Sequence, residues 1–207
     1  MECLEIVFKA IELGISCLAV VLVVFGWIIP YRQSQELEKR RKEEADRAEK
    51  LRWKKEYVDR QISEFYGPLA AIIHESDISF GLILFQLGRK CIFESGKELQ
   101  DLPEKEQKIW MHYVDTYKLP AQAKMVEIIR NHIELIYHSE IPECVYVFLE
   151  YCIGWDLLDS QKKNGVPNYY AYHYSYNYPK KFNDYICNTL ELLLKEQKEL
   201  CSFEDII

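Results

Sequence analysis

Nineteen consecutive residues without a charge, LGISCLAVVLVVFGWIIPY from Leu13 to Tyr31, restrict what this chain can become. Wound as a helix at ~1.5 Å per residue they span roughly 28 Å, close to the hydrocarbon thickness of a bilayer. A core helix of that length keeps a polar stripe, and here only Ser16 offers one. A cleaved signal peptide starts basic, has a short apolar stretch and ends in small residues. This segment follows Glu2, Glu5 and Glu12 and ends in Trp27-Ile28-Ile29-Pro30-Tyr31, an aromatic end suited to a membrane interface. The sequence therefore predicts a retained transmembrane helix over 13–31 behind a short external N-terminus, 1–12.

Charge on either side sets the expected orientation. Lys9 is the only Lys or Arg before the segment, whereas Arg32, Lys39, Arg40, Arg41, Lys42 and Arg47 follow it closely. Basic flanks stay in the cytoplasm, so the rest of the chain is expected there: a single-pass protein of a bacterial inner membrane with its N-terminus outside. The net charge of −7 is unevenly spread, with Lys and Arg in excess only over 32–60. That argues against a nucleic-acid coater and for a basic foot near anionic lipid. Seven cysteines, an odd count with no C-x-x-C, support neither a disulfide framework nor a zinc ribbon.

Residues 32–60, RQSQELEKRRKEEADRAEKLRWKKEYVDR, contain no Gly or Pro and are rich in helix formers. Pairs such as Glu36/Arg40 and Glu38/Lys42 stand in the favourable i,i+4 order. A coiled-coil stalk would put Arg40 and Arg47 on its seam, with Glu44 seven residues after Leu37. The sequence favours a solvated single helix over 32–46, packing an apolar face from about Ala48 onward.

Beyond residue 60 the apolar spacing is helical, and the breaks carry proline: Gly67-Pro68, Pro103, Leu119-Pro120, Ile141-Pro142 and Pro179. The expected fold class is all-α: a transmembrane helix, a charged juxtamembrane helix, and a cytoplasmic helical bundle over 61–207. Gly67 is expected to end the connector with positive φ, and Pro68 to start the next helix. Residues 143–159 are apolar nearly all round and read as the central helix.

One segment breaks the helical period. In YYAYHYSYNY (169–178), Tyr170, Tyr172, Tyr174, Tyr176 and Tyr178 alternate strictly, which is a strand signal. With His173, Lys180 and Lys181 beside them, they form the candidate ligand site, with rings to stack a base and cations for phosphates. The competing reading is an ordered loop whose rings pack on the open end of the bundle.

No phosphate-binding glycine loop, nucleophile elbow or H-E-x-x-H occurs. His112 with Asp115, and His74 with Asp77, are each at most half of a metal site. No Arg precedes a His at the four-to-six-residue spacing of the ribonuclease motif of small helical toxin domains. No catalytic residue, metal or cofactor is assigned, and the chain reads as a non-enzyme.

The order of membrane segment, charged helix, EFYGPLAAI (64–72), IIRNHIELIYHSEIPECVYVFLEYC (128–152) and NYPKKFNDYICNTLELLLKEQKEL (177–200) resembles a set of uncharacterised bacterial membrane-anchored proteins. The likeness rests on a Tyr-Gly-Pro-Leu corner, an Ile-Pro helix start and a Tyr-Pro-x-x-Phe helix start. It covers most of the chain beyond residue 60 and implies a fold, not an activity. The function expected is a membrane-anchored cytoplasmic interaction module without catalytic activity. Its expected partners are the bilayer, anionic lipid, an unidentified protein and a further copy of the chain, with no nucleic acid. The alternative is a nucleotide-gated membrane effector, such as one acting in phage defence.

Overall fold

The computed structural model describes residues 2–93, 99–137, 140–166 and 178–204. Six α-helices account for most of them: α1 (Glu2–Arg60), α2 (Gly67–Leu87), α3 (Glu104–Tyr113), α4 (Leu119–Asn131), α5 (Glu143–Lys163) and α6 (Lys180–Glu204). No strand occurs among the described residues, and the chain is all-α. It divides into two compact units, Met1–Trp53 and Lys54–Ile207.

The first unit is helical throughout its described residues, with Pro30 inside the helix. One helical run near the N-terminus is long and apolar enough to cross a membrane, by length and composition. Residues 30–50 are exposed, and Lys42 pairs with Glu38 at 3.1 Å one turn away. Ala48 remains exposed among Arg47, Glu49 and Lys50, Leu51 is half-buried, and among the described side chains of α1 the first buried one is Val58. Packing thus starts later than the sequence suggests, because a methyl group among charges has too little apolar area to leave water.

The second unit is organised by a π-helical turn, Gln61–Tyr66, that runs on from α1 without a break. Gly67 does not end the helix, contrary to expectation. Its φ is −63°, an ordinary right-handed value, and its N–H donates five residues back to the Ile62 carbonyl. The glycine is required for a different reason. A Cβ at 67 would stand 2.5 Å from the Ile62 oxygen.

The expected restart at Leu119-Pro120 fails in the same way. A second π-helical turn, Val114–Lys118, joins α3 to α4, and Leu119 N–H reaches back to the Val114 carbonyl. In a regular α-helix a proline ring meets the carbonyl four residues back and removes a hydrogen bond. The wider π-turn ahead of each of these prolines makes room for the ring, so the chain runs on. The helix starts at Pro103, Pro142 and Pro179 do form: Pro103 and Pro142 have extended ψ values, and α6 follows directly on Pro179.

The π-turn puts two adjacent side chains, Phe65 and Tyr66, wholly inside. Around them α2, α4, α5 and α6 contribute Leu69, Met125, Ile129, Phe148, Phe182, Ile186 and Leu193, all sealed from solvent. Phe148 and Phe182 stack face to face with ring centres 4.0 Å apart. The Tyr66 hydroxyl accepts from Tyr137 N–H at 2.9 Å and lies 2.7 Å from the Tyr185 hydroxyl. Burial, and then the Tyr185 contact, raise its pKa far above the ordinary tyrosine range. Gln61, also buried, donates to the Leu135 carbonyl at 2.9 Å. The one stretch of α1 in this unit is tied down by Lys54 to Glu196 at 2.7 Å, and by Gln197 donating to Asp59 at 2.6 Å.

α5 is not the central helix expected from its composition. It buries Val145, Phe148, Tyr151, Cys152 and Leu158 and leaves Tyr146, Ile153 and Leu157 exposed along the opposite face. Periodicity could not show this, because both faces are apolar.

Two substitutions test the π-turn. Gly67→Ala in an ordinary helix interior would stabilise by about 1 kcal/mol. Here the carbonyl contact should reverse the sign, with a net loss of ~1–3 kcal/mol read as a lower denaturation midpoint. A gain in stability would show that the close approach relaxes freely. Tyr66→Phe strips the partner from a backbone N–H and should cost ~1–3 kcal/mol.

Candidate functional site

Of the residues singled out in the tyrosine-rich segment, Tyr170, Tyr172, Tyr174, Tyr176 and His173 lie outside the described residues. Tyr178 is described, and it is part of the packing. Its ring meets Tyr151 edge-on at 5.5 Å and Phe148 at 6.5 Å, and its hydroxyl donates to the Asn183 side chain. Burial pushes its hydroxyl pKa up. Lys180 and Lys181 stand exposed in the first turn of α6. For Tyr178 the packing reading is the one the geometry supports.

Asp115 pairs with Lys162 at 2.5 Å, and His112 Nδ1 faces Thr116 Oγ1 at 3.4 Å. Among the described residues no group of three His, Cys, Asp or Glu could hold a metal ion.

A different constellation is built by the second π-turn. Lys118, its last residue, places Nζ 3.2 Å from the ring centre of Trp155, 5.3 Å from Tyr151 and 5.8 Å from Trp110. Trp110 comes from α3, Tyr151 and Trp155 from α5. The residue keeps some exposure overall, yet its Nζ sits in an aromatic box. Ring faces attract a cation, an effect worth ~2 kcal/mol or more once water is excluded. Loss of hydration acts the other way and is larger. Burial holds the Lys118 pKa well below the usual lysine range, opposed only weakly by the nearby Cys152 thiol. Cys152 is itself pushed up to about 12, by burial first and Asp156 second.

Polar groups line the remaining side. The Tyr151 hydroxyl interacts with the Trp155 indole and with the Gln122 side chain, and burial pushes its pKa up. Gln122 is buried, and its Oε1 accepts no hydrogen bond among the described residues. A cavity of about 30 Å³ lies alongside, bounded by Trp110, Val114, Leu119, Trp155 and the Asp115–Lys162 pair. That volume takes about one water. The arrangement can hold a buried amine and adjust its charge.

Sequence reasoning passed over Lys118, although a signal was present. Trp110, Val114 and Lys118 are four apart, so the lysine continues an apolar stripe. The ring partners on α5 are more than thirty residues away and leave no local trace.

The buried amine makes a pH prediction. In the unfolded chain Lys118 holds its proton to about pH 10.4, and in the folded chain it loses it at lower pH. Across that window the unfolded state binds more protons, so this group's contribution to stability rises with pH. Its penalty is greatest at low pH. Lys118→Met should therefore raise the unfolding midpoint at pH 7 by the equivalent of ~1–2 kcal/mol, with the gain shrinking as pH nears 10. A mutant less stable than wild type at pH 7 would mean that the rings outweigh the lost hydration.

No family model matches this chain, no curated protein matches it, and no solved structure does, so its functional reading rests on the side chains described above.

Proposed function

We propose that this is a single-pass protein of a bacterial inner membrane whose second unit is a cytoplasmic, non-catalytic module that docks a protein partner. The observation that carries the reading is the outer face of α5. Tyr146, Ile153 and Leu157 share that face with exposed Glu150, and each of the three leaves close to half of its surface in water. Scattered apolar residues on a surface are ordinary, but a contiguous apolar face on one helix is a feature of interaction sites. Aromatic and branched residues flanked by acids, here Glu150 and Asp156, match the composition of such sites.

Membrane anchoring is supported by the uncharged run over 13–31, which is long enough to span a bilayer as a helix. The excess of Lys and Arg just after it supports a cytoplasmic second unit, and the same basic residues suit anionic headgroups. The packed position of Tyr178 favours this module over a nucleotide sensor.

Two measurements check the reading. Cys91, Cys187 and Cys201 are exposed on the second unit. With Cys3 and Cys17 changed to Ser, a membrane-impermeant maleimide should leave spheroplasts unlabelled and react only after lysis. Labelling before lysis would reverse the topology. A photoreactive phenylalanine analogue at Ile153 should give one discrete adduct in living cells, and the same analogue at exposed Lys124 should give none. If the two positions give the same pattern, the α5 face is not a docking site.

A further inference from the structure

The second unit carries a second apolar face, on α2, with a property the α5 face lacks. Phe85 is 85% exposed, Leu82 63% and Ile78 51%, one helical turn apart along a single stripe. Gly81 lies in the same stripe, and nothing stands within 4 Å of where its Cβ would be. The stripe thus reads large, hollow, large, large along the helix.

That order is self-complementary. When two helices pack antiparallel, residues whose numbers share one sum face each other. Ile78 with the partner's Phe85 and Gly81 with the partner's Leu82 have the same sum. Each Leu82 then fills the hollow over the other copy's Gly81, and the two larger residues close over it from both ends. Charge agrees with this register. Exposed Glu75 falls beside the end of the partner's α2, where Gly88 in the left-handed conformation leads into exposed Lys90. A twofold axis repeats that contact at the other end.

We propose that α2 is a homodimer surface, pairing antiparallel with the α2 of a second copy across Ile78, Gly81, Leu82 and Phe85. The three large residues offer about 350–400 Å² per copy, under half of the ~800 Å² of a stable soluble pair. The contact is therefore weak between free molecules. It becomes sufficient when both copies share one membrane, where tethering raises the effective concentration. In that respect it rests on the anchoring proposed above.

The test uses the full chain with Cys91, Cys187 and Cys201 replaced by Ser, reconstituted in phosphatidylcholine vesicles and treated with a short bismaleimide. Leu82→Cys should link to itself. Ile78→Cys and Phe85→Cys should each fail alone, because like positions are then seven residues out of register, and should link when mixed. Adding Leu82→Glu should cut the mixed product at least tenfold; Leu82 is mostly exposed, so the helix signal by circular dichroism should not change. Three results would overturn the proposal: no product at Leu82→Cys, like-with-like products at positions 78 and 85, or quenching of a bimane at position 82 by brominated lipid, which would make lipid the occupant. Failure here with the spheroplast thiols still protected and the Ile153 adduct still present would remove the dimer alone. Thiol labelling before lysis would remove the anchoring itself.

Discussion

The hydrogen bond from Gly67 N–H to the Ile62 carbonyl, five residues back, is the constraint on which the second unit depends. Within this turn the adjacent Phe65 and Tyr66 are both wholly buried, with Gln61 one turn earlier. Three ties then leave this turn: Tyr66 to Tyr137 N–H, Tyr66 to the Tyr185 hydroxyl, and Gln61 to the Leu135 carbonyl. The segment after α4 and the face of α6 are thereby held to one short piece of chain. The turn places Gly67 where a Cβ would meet the Ile62 carbonyl, and it precedes a proline that a tighter helix would reject.

The second π-turn has the same form and a different consequence. It ahead-shifts the register before Pro120 and directs Lys118 between Trp110, Tyr151 and Trp155. A lysine in such a box is held between two opposed effects, ring attraction and a larger loss of hydration. Gln122 and Tyr151 sit beside it with incomplete hydrogen bonding among the described residues. A polar group kept inside a core at some cost is the usual mark of specificity in packing rather than of added stability. Here it fixes how α3, α4 and α5 meet.

These inward commitments leave two helices with apolar surface to spare. α2 and α5 each bury one face and expose another that is apolar too. The combination of a small closed interior and open apolar faces is the physical basis for reading the unit as one that meets other proteins.

The sequence by itself determined the helical class, the uncharged span near the N-terminus and the helix starts at Pro103, Pro142 and Pro179. Each is a local matter of hydropathy, charge or a missing N–H. The tertiary structure decided what happened at Pro68 and Pro120, because a π-turn and a helix stop carry the same residues and differ only in what the neighbouring helices accept. It decided that α5 lies at the surface, since a helix apolar on every side gives no sign of which side is covered. It also decided the Lys118 box and the position of Tyr178, whose ring partners come from distant stretches of chain. Local spacing records how a residue sits on its own helix; only packing between helices records what it meets.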